Sequence, residues 1–140
     1  HVPLTASETL SGRSAFRELI ERGGAGIVML DVSWCGGIGE AKKIATMAEA
    51  SHRPVAPHDC TGPVVFTAST HLSINLPNAL VQESVRAYYT GWYKELLTAL
   101  PTVADGHVSP PKGSGLGTEL LPGLHERPDA HLRTSKFEDL

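Results

Sequence analysis

The chain has 140 residues, 41% of them apolar and 19% charged, with a formal net charge of −3. That length is one domain's worth, and the composition is that of an ordinary soluble globular protein. The net acidity excludes a strongly basic nucleic-acid footprint and a polybasic membrane patch, and no apolar run approaches the roughly 18 residues needed to span a bilayer.

Taken in chain order, the sequence alternates short apolar runs with amphipathic stretches. Val2–Thr5 is the first apolar run, short and interrupted by Pro3. Ser14–Arg22 follows as a helix with Phe16, Leu19 and Ile20 on one face, and Gly23-Gly24 supplies its stop. Gly26–Leu30 is continuously apolar, as a strand buried on both faces should be. Gly39–Ala50 is a second helix, burying Ala41, Ile44, Ala45 and Ala48 and exposing Glu40, Lys42, Lys43 and Glu49. Pro54–Pro57 is the third strand, weakened by its prolines. Thr61-Gly62-Pro63 opens a third helix, with Pro63 near its first turn and an apolar face of Val64, Val65, Ala68 and Leu72. Ala79–Val81 is the fourth strand. Strands alternating with helices in this way imply a parallel sheet.

Beyond Glu83, Val85–Leu100 is rich in aromatics (Tyr88, Tyr89, Trp92 and Tyr93), and Leu96, Leu97 and Leu100 continue an apolar face until Pro101 stops it. From Val103 onward glycine and proline dominate, which is turn chemistry. The tail after Pro122 is polar and is expected on the surface or against another domain. The N-terminal His1-Val2-Pro3-Leu4 reads as a chain that starts within a domain, with no secretory pattern. Cys35 and Cys60 are too few for a disulfide scaffold and wrongly spaced for a zinc clip; they suit a reducing cytoplasm and are expected to be packing residues.

Each apolar run leads into an ionisable residue. Glu8, Asp31, His58 and Glu83 stand 23, 27 and 25 residues apart, the size of one βα unit. In a (β/α) barrel such strand-end residues converge on one rim. An open doubly wound sheet would place ligands only at a switch point, so four polar strand ends in a row favour the barrel. Asp31 and His58 are the sharpest pair: a carboxylate beside an imidazole fixes its tautomer and tunes it for proton transfer. Taken alone, a strand-end His is more often structural or solvated, and Asp31 could be a turn or cap carboxylate. Glu8 could be a metal ligand or a solvated loop residue, and Glu83 could meet substrate or cap the next helix. His71 fits core or surface better than catalysis.

Four segments stand in order: Ser7-Glu8 with Leu10 and Arg13; Asp31-Val32-Ser33-Trp34-Cys35-Gly36-Gly37-Ile38-Gly39-Glu40 running into Ala41–Ala50; Val55-Ala56-Pro57-His58; and Asn78-Ala79-Leu80-Val81-Gln82-Glu83. This ordered set resembles the enolase superfamily, in its mandelate racemase and muconate lactonizing enzyme branch. Asp105-Gly106-His107-Val108 and Gly115-Leu116-Gly117 resemble that branch's C-terminal segment. The resemblance implies an α/β fold: residues 1–100 as strands five to eight, the C-terminal half, of a modified (β/α)7β TIM barrel, and 101–140 as an extension packing on the barrel or on a capping domain. It implies His58 and Asp31 as the acid/base dyad, Glu83 as a contact to substrate, and Glu8 as one ligand of Mg²⁺.

The implied reaction removes the proton alpha to a carboxylate and, in a sugar-acid dehydratase, eliminates the beta-hydroxyl as water. A racemase, epimerase or lactone cycloisomerase would use the same intermediate, and a non-catalytic half-barrel is the alternative outside enzymes. The remaining metal ligands, the second-strand base and the capping domain would come from outside this segment, so the segment alone is expected to hold Mg²⁺ weakly. The expected partner is a small sugar acid, with no nucleic acid and no membrane, in a cytoplasmic homo-oligomer.

Overall fold

The computed structural model describes residues 2–134 and Lys136; His1, Ser135 and residues 137–140, the last of them within the expected C-terminal extension, lie outside the described residues. The elements alternate through the first half: β1 (Thr5–Ala6), α1 (Gly12–Glu21), β2 (Ile27–Val28), α2 (Ile38–Ala50) and α3 (Pro63–Asn75). The short helix α4 (Arg86–Thr90), a 3₁₀ turn (Trp92–Glu95), β3 (Thr102–Ala104), β4 (His107–Ser109) and a 3₁₀ turn (Leu124–Glu126) complete the chain.

The backbone pairing is parallel and in sequence order. Thr5 and Ala6 register with Ile27 and Val28, Val28 bridges to Val55, and Val55 bridges to Ala79. Hydrogen bonds extend each pairing past these residues toward the strand ends. Met29 N–H donates to Ala6 O at 2.9 Å, His58 N–H to Leu30 O at 2.9 Å and Glu83 N–H to Pro57 O at 3.2 Å. The expected third and fourth strands are therefore real as pairings, though each is a single bridge. The prolines at 54 and 57 have no N–H to give a ladder, which limits regular pairing there.

Helix α1 ends where the sequence places its stop. Gly23 adopts φ +66°; its N–H donates to Ile20 O at 3.0 Å, and Gly24 N–H reaches Leu19 O at 2.9 Å. This is the paired Schellman arrangement that glycine permits. Phe16 is the fully buried residue of the helix. Its burial contributes on the order of 2–3 kcal/mol. Helix α2 buries Ala41, Ile44, Ala45 and Ala48. Three alanines on that face let it lie close to the strands. Phe16, Val28, Leu30, Ile44, Val55 and Leu72 belong to one core cluster, so three helices and two of the strand segments share it.

Three features differ from the sequence expectations. Val64 is exposed, and the buried face of α3 carries Phe66, Thr67, Ser69 and Thr70 beside Ala68 and Leu72. The two threonine hydroxyls can be buried because Thr67 and Thr70 donate to the carbonyls of Pro63 and Phe66, each at 2.8 Å, the back-bonding open to Thr in a helix, whereas the buried Ser69 Oγ makes no such bond. The apolar face expected to continue through Val85–Leu100 is split between α4 and the 3₁₀ turn. Gly91 interrupts it (a Cβ there would stand 2.6 Å from Ala87 O), and the chain tightens into the 3₁₀ turn. The glycine-rich region after Val103 contains a two-stranded antiparallel hairpin, Thr102–Ala104 with His107–Ser109, turning at Asp105-Gly106, both at positive φ. Aspartate followed by glycine is the residue pair such a tight turn demands.

The C-terminal segment folds back on the rest. Thr98 N–H donates to Glu119 O and Leu121 N–H to Leu96 O, each at 2.9 Å. Arg127 pairs with Asp129 at 2.8 Å and Glu95 at 3.3 Å.

Candidate active site

The parallel register delivers Asp31, His58 and Glu83 to one end of the ladder. Each follows a paired residue by three or four positions, and the same backbone bonds that close the ladder set their heights: His58 hangs from Leu30 and Glu83 from Pro57. Glu8 follows β1 on the adjoining strand. Ser7, just before it, is held at φ +100°, an uncommon conformation for a residue with a side chain. Its hydroxyl donates to Met29 O at 2.8 Å and also contacts Ala6 O.

Asp31 is completely buried. Its Oδ1 accepts Ser33 N–H at 2.8 Å, Ser33 Oγ–H at 2.6 Å and Trp34 N–H at 3.3 Å. Its Oδ2 accepts Thr61 Oγ1–H at 2.8 Å and lies 2.9 Å from His58 Nδ1. Burial alone would raise this carboxyl. The hydrogen bonds from Ser33, His58 and Thr61 outweigh it and hold the group below the usual carboxylate range, because they favour the charged form. An ionised carboxylate only accepts, so His58 Nδ1 carries the proton in this contact. Nε2 is left outside that contact, and it faces Glu83 Oε2 at 3.8 Å.

Glu83 Oε2 in turn accepts the backbone N–H of Asp59 at 2.8 Å. The Trp34 ring stacks beside His58, centroids 5.7 Å apart and planes 29° apart. Trp34 is 41% exposed and so forms an open wall of the site. The chain's own groups can thus hold a proton at one imidazole nitrogen beside a carboxylate, with an aromatic wall alongside.

Cys35 is buried, as expected of a packing residue, and its thiol is pushed up to about 11 by burial and the charge of Asp31. Cys60 departs from that expectation: it is exposed. Its thiol is raised by desolvation and then by the carboxylates of Asp31, Glu83, Asp59 and Glu8. His71 is half-buried and bonded through Nε2 to Leu116 O at 3.0 Å, a structural tie.

Four residues around these groups are not picked out as functional by the sequence pattern. Ser33 had a signal, since Asp followed two residues later by Ser is a common side-chain-to-backbone turn. Thr61 was legible only as a helix-opening residue, and Asp59 and Tyr93 gave no local sign.

Among the described residues no group of three or more His, Cys, Asp or Glu side chains is placed to hold a metal ion. Glu8 is a hard oxygen donor of the kind Mg²⁺ takes, but one carboxylate does not make a site.

The profile of the enolase C-terminal domain-like family matches residues 1–123. D-galactonate dehydratase of Ralstonia pickettii (strain 12J) is 36% identical over 125 residues, which is 86% of this chain and 33% of that protein. A crystal structure of an enolase of the mandelate racemase subgroup from Agrobacterium tumefaciens superposes with a TM-score of 0.83 at 64% identity, covering 89% of this chain and 34% of that one. An enolase from environmental sequencing of the Sargasso Sea gives a TM-score of 0.83 at 41% identity over 91% of this chain and 34% of that one. The chain spans about a third of the length of these relatives. With the profile covering most of the chain and its parallel βα units superposing on solved members, the chain belongs to the enolase C-terminal domain-like family.

Proposed function

We propose that the complete enzyme containing this chain removes the proton alpha to the carboxylate of a sugar acid and eliminates the beta-hydroxyl as water. The observation that carries this reading is the His58 ring, fixed by Asp31 at Nδ1 and turned toward Glu83 at Nε2. The relatives named D-galactonate dehydratase support elimination as the outcome.

In this reading the α C–H bond breaks and its electron pair moves onto the substrate carboxylate as an enediolate. As the pair returns, the C–O bond to the beta-hydroxyl breaks and the hydroxide leaves with a proton as water; the resulting enol gains a proton at the beta-carbon and loses one from its 2-hydroxyl, giving a 2-keto-3-deoxy acid. His58 moves a proton at Nε2, taking it from the α-carbon or delivering it to the leaving oxygen. Asp31 holds the ring's orientation through Nδ1. Glu83 meets the substrate carboxylate or the enediolate. The α-carbon is a very weak acid, so its anion needs positive charge and hydrogen-bond donors nearby. Mg²⁺ would supply that charge, with Glu8 as one ligand and the others from outside this chain.

The reading further assigns residues 1–100 to the C-terminal half of a (β/α)7β barrel and 101–140 to an extension. A first barrel half and a capping domain complete the site in a cytoplasmic homo-oligomer. The relatives' length, about three times that of this chain, supports the larger assembly.

The test is a screen of the full-length enzyme with Mg²⁺ against a library of aldonic and aldaric acids, reading 2-keto-3-deoxy acid formation. Deuterium exchange at the α-carbon without dehydration would point instead to racemisation or epimerisation, and ring opening or closure of a lactone to cycloisomerisation. No exchange with any acid would leave the chain as a non-catalytic half-barrel.

A further inference from the structure

His58 is followed by a second carboxylate that the proposed reaction does not use. Asp59 is completely buried. Its Oδ2 accepts Val85 N–H at 3.0 Å and its Oδ1 accepts the Tyr93 hydroxyl at 2.8 Å. Tyr93 is also fully buried. Its ring packs 6.3 Å from Phe66 and edge-on to Trp92 at 4.6 Å, so its hydroxyl is a fixed donor.

These bonds bracket Glu83. Residues 81–85 belong to no helix or strand, so regular pairing does not hold them. Before Glu83's side chain, its own N–H is tied to Pro57 O at 3.2 Å. Two residues after it, Val85 N–H is tied to the Asp59 carboxylate. The Glu83 carboxylate itself accepts the Asp59 N–H. Asp59 therefore touches the Glu83 loop at two points, once through its backbone and once through its side chain, while Tyr93 anchors that side chain to the aromatic cluster under α3. A carboxylate is expensive to bury without compensating bonds, and here both oxygens are used on this one loop and its anchor.

We propose that Asp59, anchored by Tyr93, is a positioning residue that aims the Glu83 carboxylate at the working face of His58. The proposal rests on the role given to Glu83 in the function proposed above. Asp59 meets no substrate atom in it; it sets where Glu83 stands, and displacing a reacting group by about 1 Å can cost on the order of 10²-fold in rate.

The chemistry of the two oxygens supplies a rescue. Asparagine is isosteric, keeps an oxygen for Val85 N–H, and can turn its NH₂ toward the Tyr93 oxygen, which accepts as well as donates. Alanine keeps neither bond.

The experiment uses the full-length enzyme and two readouts, amide hydrogen exchange across residues 81–86 without substrate, and steady-state kinetics. Tyr93→Phe and Asp59→Ala are expected to speed exchange in that segment and to lower kcat by about 10-fold or more, with KM moving less. Asp59→Asn is expected to keep both readouts near the parent. Because the effect runs through Glu83, Tyr93→Phe should cost little further turnover in a Glu83→Gln background. Unchanged exchange in Tyr93→Phe would overturn the proposal, as would Asp59→Asn behaving like Asp59→Ala, or equal Tyr93→Phe losses with and without the Glu83 carboxylate. If Asp59→Ala does not fold, the Tyr93→Phe comparison decides alone; if Glu83→Gln leaves too little turnover to compare, the exchange readout decides. Exchange is read without substrate, so a failure of loop positioning is distinguished from an absence of α-proton chemistry.

Discussion

His58 Nδ1 lies 2.9 Å from Asp31 Oδ2, and every other neighbour of that carboxylate is a donor. The imidazole is therefore locked in one tautomer with Nε2 turned outward. His58→Asn in the full-length enzyme should lower turnover by about 10²-fold or more, the scale of general acid–base catalysis. Steady-state rates with the best sugar acid check it, and near-normal turnover would remove the role.

Thr61 shares Asp31 Oδ2 with His58. Thr61→Val keeps the shape and deletes the hydroxyl, so stability at neutral pH should fall by about 1–3 kcal/mol, as for a hydrogen bond to a charged group. The sign with pH follows from the depressed Asp31 carboxyl. Its contribution is fully present above the unfolded value near 4 and is lost as pH falls through the lower folded value. Denaturant melts of parent and variant should therefore converge in acid.

Asp59 shifts the opposite way. Desolvation raises its carboxyl, and hydrogen bonds from Val85 and Tyr93 offset this only in part. A carboxyl raised on folding favours the native state below its folded value and loses that contribution as pH rises through it. Asp59→Asn should accordingly gain stability over the parent at pH 7, and the gain should vanish in acid. A gain that instead grew as pH fell would show that the buried carboxylate is held in its charged form.

Cys60 is exposed and Cys35 is not. Alkylation of the native protein at pH 8 should modify Cys60 alone, and Cys35 only on unfolding. Because nearby carboxylates, Glu83 among them, hold the Cys60 thiol up, Glu83→Gln should speed its labelling, since the thiolate is the reactive form. Mass spectrometry over a time course reads both rates.

Mg²⁺ asks for near-octahedral oxygen ligation and gives up its waters reluctantly. The 140-residue chain offers Glu8 and no described three-ligand cluster, so titration calorimetry on it should find only weak binding. Tight stoichiometric uptake by the chain alone would mean that its ligands are other than those named.

The repeat of apolar run and ionisable residue was enough to read the parallel order and the four strand ends, because both follow from local pattern and spacing. The boundaries of α1 and α2 were legible within about two residues for the same reason, with Gly23-Gly24 marking one stop. What spacing could not reveal depends on contacts made across the chain. Thr61 reaches Asp31 over 30 residues and Tyr93 reaches Asp59 over 34. The buried face of α3 departs from the apolar pattern because Thr67 and Thr70 satisfy their hydroxyls within the helix, so polarity does not mark exposure. The Asp105-Gly106 turn was visible in composition, but only pairing across it makes the hairpin.

The short antiparallel contact joining 96–98 to 119–121 works as a clasp. It closes the excursion between its two sides at the base, so the tip at Lys112–Ser114, which is exposed, can vary without unsettling the parallel ladder. Lengthening a loop that is already closed costs little, about 0.6 kcal/mol for each doubling. A tag or a short recognition peptide spliced at Gly113 should leave the His58 rim in place, which makes that tip a natural handle for immobilising or reporting on the protein.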